Sequence, residues 1–295
     1  MSGKLKRSRP AGKSPQSDLP AGLYVTATPI GNAADITLRA LKVLGDCDLI
    51  AAEDTRVTAK LLAIHGIARP LCAYNDHNAG RERPRLLAKL RQGGRIALVS
   101  DAGTPLISDP GFKLVREAVA EGLAVHAIPG ACAVLTGLVL AALPTDRFMF
   151  AGFLPAKSGE RRTVLGELKG LRATLVFFES AQRLGESLAD MAEIFGTRTV
   201  AVARELTKLH EEVRRGLLRE LADHYATAGA PRGEVTLLVS PPHEAEPDFA
   251  RIDAILDMAL DFMPLRAAVD LASEALQAPR RAVYERALAR KRGDG

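Results

Sequence analysis

Aromatic side chains make up only 4% of the 295 residues, and tryptophan is absent. So few flat rings argue against a broad stacking platform for single-stranded bases. Cysteine is scarce as well, with Cys47, Cys72 and Cys132 far apart. An odd number of thiols in a long chain speaks against a disulfide framework and for a reducing compartment, so a cytoplasmic protein is expected. Neither CxxC nor HExxH occurs and the six histidines are scattered, so no metal site is expected. The longest apolar run, Ala131 to Leu143, is too short to cross a bilayer and contains Gly137, so no membrane association is expected. No apolar stretch follows the basic N-terminus, which argues against a secretory signal. There is no GxxxxGKS/T loop for a Walker-type NTPase. No GxGxxG follows the first strand, which argues against a dinucleotide-binding dehydrogenase and an ordinary Rossmann-type methyltransferase. A GxSxG elbow is also missing.

What is present suits a globular protein. The apolar content of 47% supplies a core, and the length suits two domains better than one. A net charge of +5 and a pI near 9.2 fit a polyanionic partner such as nucleic acid, and equally a mildly basic enzyme. Residues 1–20, rich in Lys, Arg, Ser, Pro and Gly, are expected to be a disordered basic tail.

The most informative stretch is Arg95 to Gly111. Its apolar run, Ile96 to Val99, ends in Ser100-Asp101-Ala102-Gly103-Thr104-Pro105, and a second turn, Asp109-Pro110-Gly111, follows. A buried strand stopping at a small acidic loop is what a parallel sheet offers a ligand at the carboxyl ends of its strands. The pattern recurs. Leu23–Ala27 ends at Thr28–Asn32, Asp48–Ala52 at Glu53–Arg56, and Leu71–Tyr74 at Asn75–Asn78. Helices are predicted between them at Ile36–Leu44 with Asp35 as N-cap, at Thr55–Ile64 and at 81–92. Phe112–Glu121 reads as a helix, Ala124–Ile128 as a strand and Ala133–Ala142 as a buried helix. This alternation means βαβ units whose polar loops open on one edge. Acid–base candidates there are Glu53, Asp54, His77 and Asp101, with Arg56 beside them. The plain alternative is that Asp54 caps a helix and Arg56 pairs with an acid.

After Pro144 the spacing turns hairpin-like and predicts a mixed sheet. Phe148–Phe150 reads as a short strand, Lys157–Arg162 as a mobile basic segment and Thr163–Leu171 as a helix. Strands follow at Thr174–Phe178, Val200–Ala203 and Glu234–Ser240, with a ribbon at 210–215 and helices at Leu184–Phe195 and Leu217–Ala226. Beyond a linker at 241–247, residues 248–292 read as three short helices, with Pro264 and Pro279 in first turns. The last carries Arg280, Arg281, Arg286, Arg290, Lys291 and Arg292, which suits a helix-turn-helix or, alternatively, a dimerisation tail. The expected division is a tail at 1–20, α/β domains at 21–131 and 132–241, and a helical, helix-turn-helix-like extension at 247–295.

Eight segments taken in order resemble one family. They are LYVTATPIGN (Leu23–Asn32), DLIAAEDTR (Asp48–Arg56), LVSDAGTPLISDPG (Leu98–Gly111), IPGACA (Ile128–Ala133), LPTDRFMFAGFLP (Leu143–Pro155), FFES (Phe177–Ser180), VARELTK (Val202–Lys208) and RGEVTLLV (Arg232–Val239). Together they are similar to the bacterial 16S rRNA (cytidine-2′-O)-methyltransferases, the ribosomal RNA small subunit methyltransferase I family of the tetrapyrrole-methylase superfamily. The resemblance implies a two-domain tetrapyrrole-methylase-like α/β fold, with parallel and mixed sheets flanked by helices and a small C-terminal helical extension. It implies S-adenosylmethionine (AdoMet) in the cleft between the domains and a homodimer. The activity implied is methyl transfer to a cytidine ribose 2′-OH in 16S rRNA, in the decoding (P-site) region of the small ribosomal subunit.

The resemblance also implies site residues. Cofactor contacts fall on Pro29 and Gly31, on Asp101, Ala102, Gly103 and Thr104, and on Ala131 and Cys132. Further contacts fall on Phe178 and Glu179, and on Glu234, Val235 and Thr236. Ala131-Cys132 stands where Pro-Ser is usual, so a hydroxyl is missing, and Ala181-Gln182 replaces a usual Pro-His. Glu53, Asp54, Arg56 and His77 are the catalytic candidates. Lys60, Arg204, Lys208, Arg280 and Arg281 are expected on RNA phosphates. Two other readings stand beside this one: a methyltransferase of the same fold acting on a small tetrapyrrole or other non-RNA acceptor, and a non-catalytic RNA-binding module.

Overall fold

The computed structural model describes residues 18–107, 110–242, 249–276 and 278–293. The expected tail over 1–20 lies almost wholly outside the described residues, as do Asp109 of the second turn and most of the 241–247 linker. The chain divides into two compact units, with the division between Pro241 and Pro242.

The first half of the larger unit is a five-stranded sheet in the order β3-β2-β4-β1-β5, parallel throughout. Its strands are β1 (Gly22–Thr26), β2 (Leu49–Ala52), β3 (Leu71–Ala73), β4 (Arg95–Val99) and β5 (Val125–Ile128). Between them run α1 (Leu38–Asp46), α2 (Thr55–Ile64), α3 (Ala79–Arg91) and α4 (Phe112–Ala120). The two-residue period of a strand sends alternate side chains to opposite faces. In β4, Ile96 and Leu98 join Leu23, Leu86 and Leu114 on one face, while Ala97 and Val99 join Tyr24, Leu44 and Ile50 on the other. Both faces are therefore apolar, and only the strand ends are left for polar loops.

The second half is a mixed sheet in the order β6-β7-β10-β8-β9. It comprises β6 (Phe148–Phe153), β7 (Thr174–Ser180), β8 (Thr199–Arg204), β9 (Glu212–Leu217) and β10 (Glu234–Val239). Only β6 and β7 pair in parallel; the other ladders are antiparallel. One face is covered by α6 (Ser158–Leu168), α7 (Leu184–Phe195) and α8 (Leu218–Ala228) around Leu175, Phe177, Leu188 and Leu237. The other receives α5 (Ala133–Ala141), whose Val134, Leu138 and Ala141 pack with Val176, Ala201 and Leu238. Gly137 lets this helix sit close, since a Cβ there would stand 3.2 Å from Leu238 Cδ1. The smaller unit holds α9 (Phe249–Leu260), α10 (Leu265–Leu276) and α11 (Arg280–Gly293). They close on Ile252, Leu256, Val269 and Val283 with several alanines.

Three local expectations are corrected. Asp35 is not the cap of α1. It lies in a 3-10 turn, Ala33–Asp35, capped by Asn32, and α1 is capped by Thr37, which accepts from Ala40 N at 3.1 Å. Residues 157–162 are not a loose segment, because α6 begins at Ser158. Arg161 is 1% exposed and donates to Asp190 of α7 at 2.7 Å, which fixes this turn. Finally, β6 runs to Phe153 rather than stopping at Phe150, with an irregularity in register between Phe150 and Gly152.

Candidate active site

Because β1, β2 and β4 are parallel neighbours, their following loops meet on one edge. Two backbone hydrogen bonds join Thr28 and Gly103 (2.9 and 3.1 Å), so the loops after β1 and β4 form one surface. Gly103 has φ +77, a left-handed conformation that costs glycine nothing. The loops after β2 and β4 clasp each other through their acids. Asp101 Oδ1 accepts from Asp54 N at 2.9 Å, and Glu53 Oε2 accepts from Asp101 N at 3.3 Å. Thr104 donates to Ala131 O at 3.2 Å, tying the same loop to the chain that enters α5.

These acids differ in their electrostatics. Burial pushes the Glu53 carboxyl above its ordinary range, against the lowering hydrogen bond from Asp101 N, and the nearby charges of Asp76 and Asp54 add to the rise. Burial also raises Asp101, against the lowering hydrogen bond it accepts from Asp54 N. Asp54 goes the other way, down to about 2, because Arg56 hydrogen-bonds its carboxylate. Asp54 also caps α2 by accepting from Arg56 N at 2.8 Å. The geometry thus gives Asp54 and Arg56 the plain role considered above, a cap and its ion pair.

The edge opens into a cavity of about 730 Å³ whose opposite wall comes from the second sheet. Ile30, Glu53, Asp101–Thr104 and Ile107 line the first side, and Cys132 and Ala133 come from the start of α5. The second sheet contributes Phe153, Phe178 to Gln182, Leu206 and Pro231 to Thr236. Low aromatic content does not prevent a local cluster here. Phe178 meets Phe150 and Phe153 edge-on, with centroids 4.8 and 5.7 Å away, and Phe153 is 57% exposed.

The anticipated residues distribute unevenly. Asp101 to Thr104, Cys132, Phe178, Glu179, Glu234, Val235, Thr236 and Glu53 line the cavity; Pro29, Gly31, Ala131, Asp54, Arg56, His77 and Lys60 do not. Glu179 has its side chain fully committed. Its oxygens meet Arg183 Nη2 (2.6 Å), Ser180 N (2.8 Å) and Ser187 Oγ (2.6 Å), so its contribution to the wall is backbone. Gly31 is an approach point instead, since a Cβ there would lie 2.3 Å from Lys208 Cγ. Lys208 Nζ bridges Glu205 (2.8 Å) and Glu234 (2.9 Å), and Arg204 pairs with Glu212 at 2.9 Å. In the smaller unit Arg280 pairs with Asp270 (2.6 Å) and Arg281 with Glu285 (3.0 Å). Arg286 and Arg290 are both held by Asp253. Residues 242–295 in fact carry eight Lys and Arg against ten Asp and Glu.

Sequence reasoning passed over Ile30, Ile107, Phe153, Leu206 and the 231–233 turn. The available signal was that Ile30, Ile107, Phe153 and Leu206 all lie inside the resembling segments, and that Pro231-Arg232-Gly233 punctuates a strand start. Among the described residues no group of acidic, histidine or cysteine side chains is placed to hold a metal, and no helix is long and apolar enough to cross a membrane.

A model of the tetrapyrrole (corrin/porphyrin) methylases matches residues 22–222, and a model of the RsmI C-terminal HTH domain matches residues 246–291. The chain is 49% identical over 290 residues to a ribosomal RNA small subunit methyltransferase I of Mesorhizobium japonicum, covering 95% of this chain and 99% of that one. It is 46% identical over 274 residues to the protein of that name from Pseudomonas aeruginosa, covering 91% and 97%. A solved structure of uroporphyrin-III C-methyltransferase from Thermus thermophilus, complexed with S-adenyl homocysteine, shares the fold. Its TM-score is 0.52 at 17% identity, over 74% of this chain and 96% of that one. With a two-sheet body of this architecture and relatives alike along nearly its whole length, the chain belongs to the tetrapyrrole (corrin/porphyrin) methylase family, in its ribosomal RNA small subunit methyltransferase I branch.

Proposed function

We propose that the protein transfers the methyl group of AdoMet to the ribose 2′-hydroxyl of a cytidine in 16S rRNA, in the decoding region of the small ribosomal subunit. The observation that carries this reading is the cavity with a carboxylate edge on one side and an apolar, backbone-rich wall on the other. That donor set fits AdoMet. Asp101 offers a carboxylate to hydroxyl or ammonium groups and to positive charge, while Phe178, Leu206, Ile30 and the Glu234–Thr236 strand suit a flat base. When bound, AdoMet supplies a methyl group already activated by its sulfonium, so positioning accounts for much of the acceleration. Glu53 is the residue to take up the 2′-hydroxyl proton as the ribose oxygen gains the methyl. It lines the cavity, and its raised pKa makes it a better base than an ordinary carboxylate. Asp54 is held by Arg56, and His77 is exposed away from the cavity. Phe153 presents a ring on which the target base can stack.

The protein is also proposed to act as a homodimer. Leu135 and Val139 of α5, and Phe148 and Met149 of the edge strand β6, leave apolar surface exposed. The smaller unit is proposed as an RNA arm. Its arginines are largely paired internally, so its attraction for RNA rests on shape and on exposed pairs such as Arg281–Glu285, which RNA phosphate can displace, rather than on net charge. Removing residues 247–295 is expected to weaken methylation of subunits while leaving AdoMet affinity unchanged; equal methylation by the truncated protein refutes the arm.

The decisive assay incubates the protein with labelled AdoMet and small subunits from a strain lacking the modification, then maps the methyl group. Label on a cytidine 2′-oxygen is the expected result. Label appearing instead on a tetrapyrrole offered in parallel, or RNA binding without transfer, overturns the proposal.

A further inference from the structure

Beside the main cavity lies a second cleft of about 340 Å³ that shares Pro231 and Arg232 with it. Arg204, Glu212, Arg214, His224 and Tyr225 complete its lining, with the turn at 228–230. Glu212 faces two guanidiniums at once: its Oε2 is 2.9 Å from Arg204 Nη2 and its Oε1 is 2.9 Å from Arg214 Nη2. Both partners hold its carboxyl below the usual range, Arg204 first. Arg232 is exposed, and its guanidinium forms no ion pair among the described residues, while its carbonyl accepts from Arg204 Nη1 at 3.1 Å. The His224 ring stands edge-on to Tyr225, with centroids 4.9 Å apart.

Three guanidiniums against one carboxylate leave an excess of two positive charges, with His224 counted neutral. This is a local departure, because residues 18–295 as a whole carry 35 Lys and Arg and 35 Asp and Glu. The guanidinium fork matches the oxygens of a phosphate. A singly charged phosphodiester leaves one positive charge unspent, enough to bind without saturating the Glu212 pairs. Pro231 and Arg232 line both cavities, so a chain with one unit in the main cavity would run past the cleft.

We propose that this cleft is a phosphodiester-binding subsite that takes an RNA backbone phosphate adjacent to the nucleotide presented to the main cavity. The proposal rests on the RNA reading above. A phosphate contact of this kind fixes register without reading sequence.

The test is binding of small ribosomal subunits lacking the modification, measured from about 50 to 200 mM salt, where phosphate contacts are lost most steeply. Arg214, which lines only the second cleft, is the informative position. Arg214→Glu is expected to weaken binding about tenfold or more and to make the slope of log affinity against log salt shallower by about one. Arg214→Lys is expected to retain most of the affinity. Arg232→Ala, which removes no ion pair, is expected to weaken binding several-fold, which keeps the test open if Arg214→Glu folds poorly. AdoMet affinity of the Arg214 variants, read by calorimetry, is expected to be unchanged. Wild-type affinity and slope in both Arg214→Glu and Arg232→Ala overturn the subsite. Loss of AdoMet affinity in Arg214→Lys also overturns it, since the cleft is then only a support for the cavity wall. A wild-type protein that binds no subunits at any salt overturns the RNA reading and the subsite together. Failure of the variants' effects alone removes only the subsite.

Discussion

The two walls of the cavity use the same residue type for opposite purposes. On the first sheet's edge, Glu53 accepts from Asp101 N and Asp101 from Asp54 N, neither forms an ion pair among the described residues, and burial lifts both carboxyls. On the second sheet's wall both lining acids are engaged, Glu179 with Arg183 and Glu234 with Lys208, and just outside the cavity Glu205 is held by Lys208 and Glu212 by Arg204 and Arg214. A carboxylate left without a counterion in a cavity is costly for the fold and useful for chemistry. One that is paired and buried holds structure. The proposed chemistry therefore falls on the first wall, and the second holds the cavity's shape.

Single substitutions on the two walls test this contrast. The largest effect is expected at Glu53. Glu53→Gln should lower kcat by about 100-fold or more, the usual contribution of a general base, without lowering the melting temperature, because the fold no longer buries a charge. In the wild type, activity should fall as pH drops through the raised pKa of Glu53, so the acid limb should lie above the ordinary carboxylate range and vanish in the variant. A wild-type pH profile in Glu53→Gln removes it as the base. Next is Asp101→Ala, expected to weaken AdoMet about 100-fold through two lost charge-assisted hydrogen bonds. Unchanged calorimetric affinity takes Asp101 out of the cofactor site. On the other wall, Glu179→Gln should act on stability, costing about 2 kcal/mol in denaturant unfolding by weakening three contacts at a buried oxygen pair. If its stability matches the wild type, the distinction between the walls fails. The smallest effect is expected at Phe153. Phe153→Ala should raise KM for subunits about tenfold with AdoMet affinity intact, and Phe153→Tyr should restore it. Equal loss of AdoMet affinity moves this ring into the cofactor wall.

Much of the first sheet's wall was legible in the sequence, because local rules govern it. A parallel strand ends in its own loop, so Thr28–Asn32, Glu53–Arg56 and Asp101–Pro105 declare themselves without tertiary information. Helices bounded by strong local signals, Thr55–Ile64 and Leu184–Phe195, fall where the spacing predicts. The shaping wall was less legible because its partners are distant in the chain. Arg161 looks like surface charge until Asp190, 29 residues on, is packed against it. The arginines of α11 look like an uncommitted basic face until Asp253, 33 residues before Arg286, comes alongside. Phe153 was hidden by composition, since a low overall aromatic content says nothing about where the few rings gather.

The contact between Gly31 and Lys208 carries a consequence for how such chains change over generations. No side chain fits at position 31 while an extended lysine stem crosses it, and that stem is drawn across by Glu205 and Glu234. The two positions, one in each half of the body, are therefore coupled. Replacement of the glycine alone would force the Lys208 stem aside, and a shortened residue at 208 is the change that would relieve it. Lineages should show these two sites as a compensating pair, linking the histories of two sheets that otherwise share no strand.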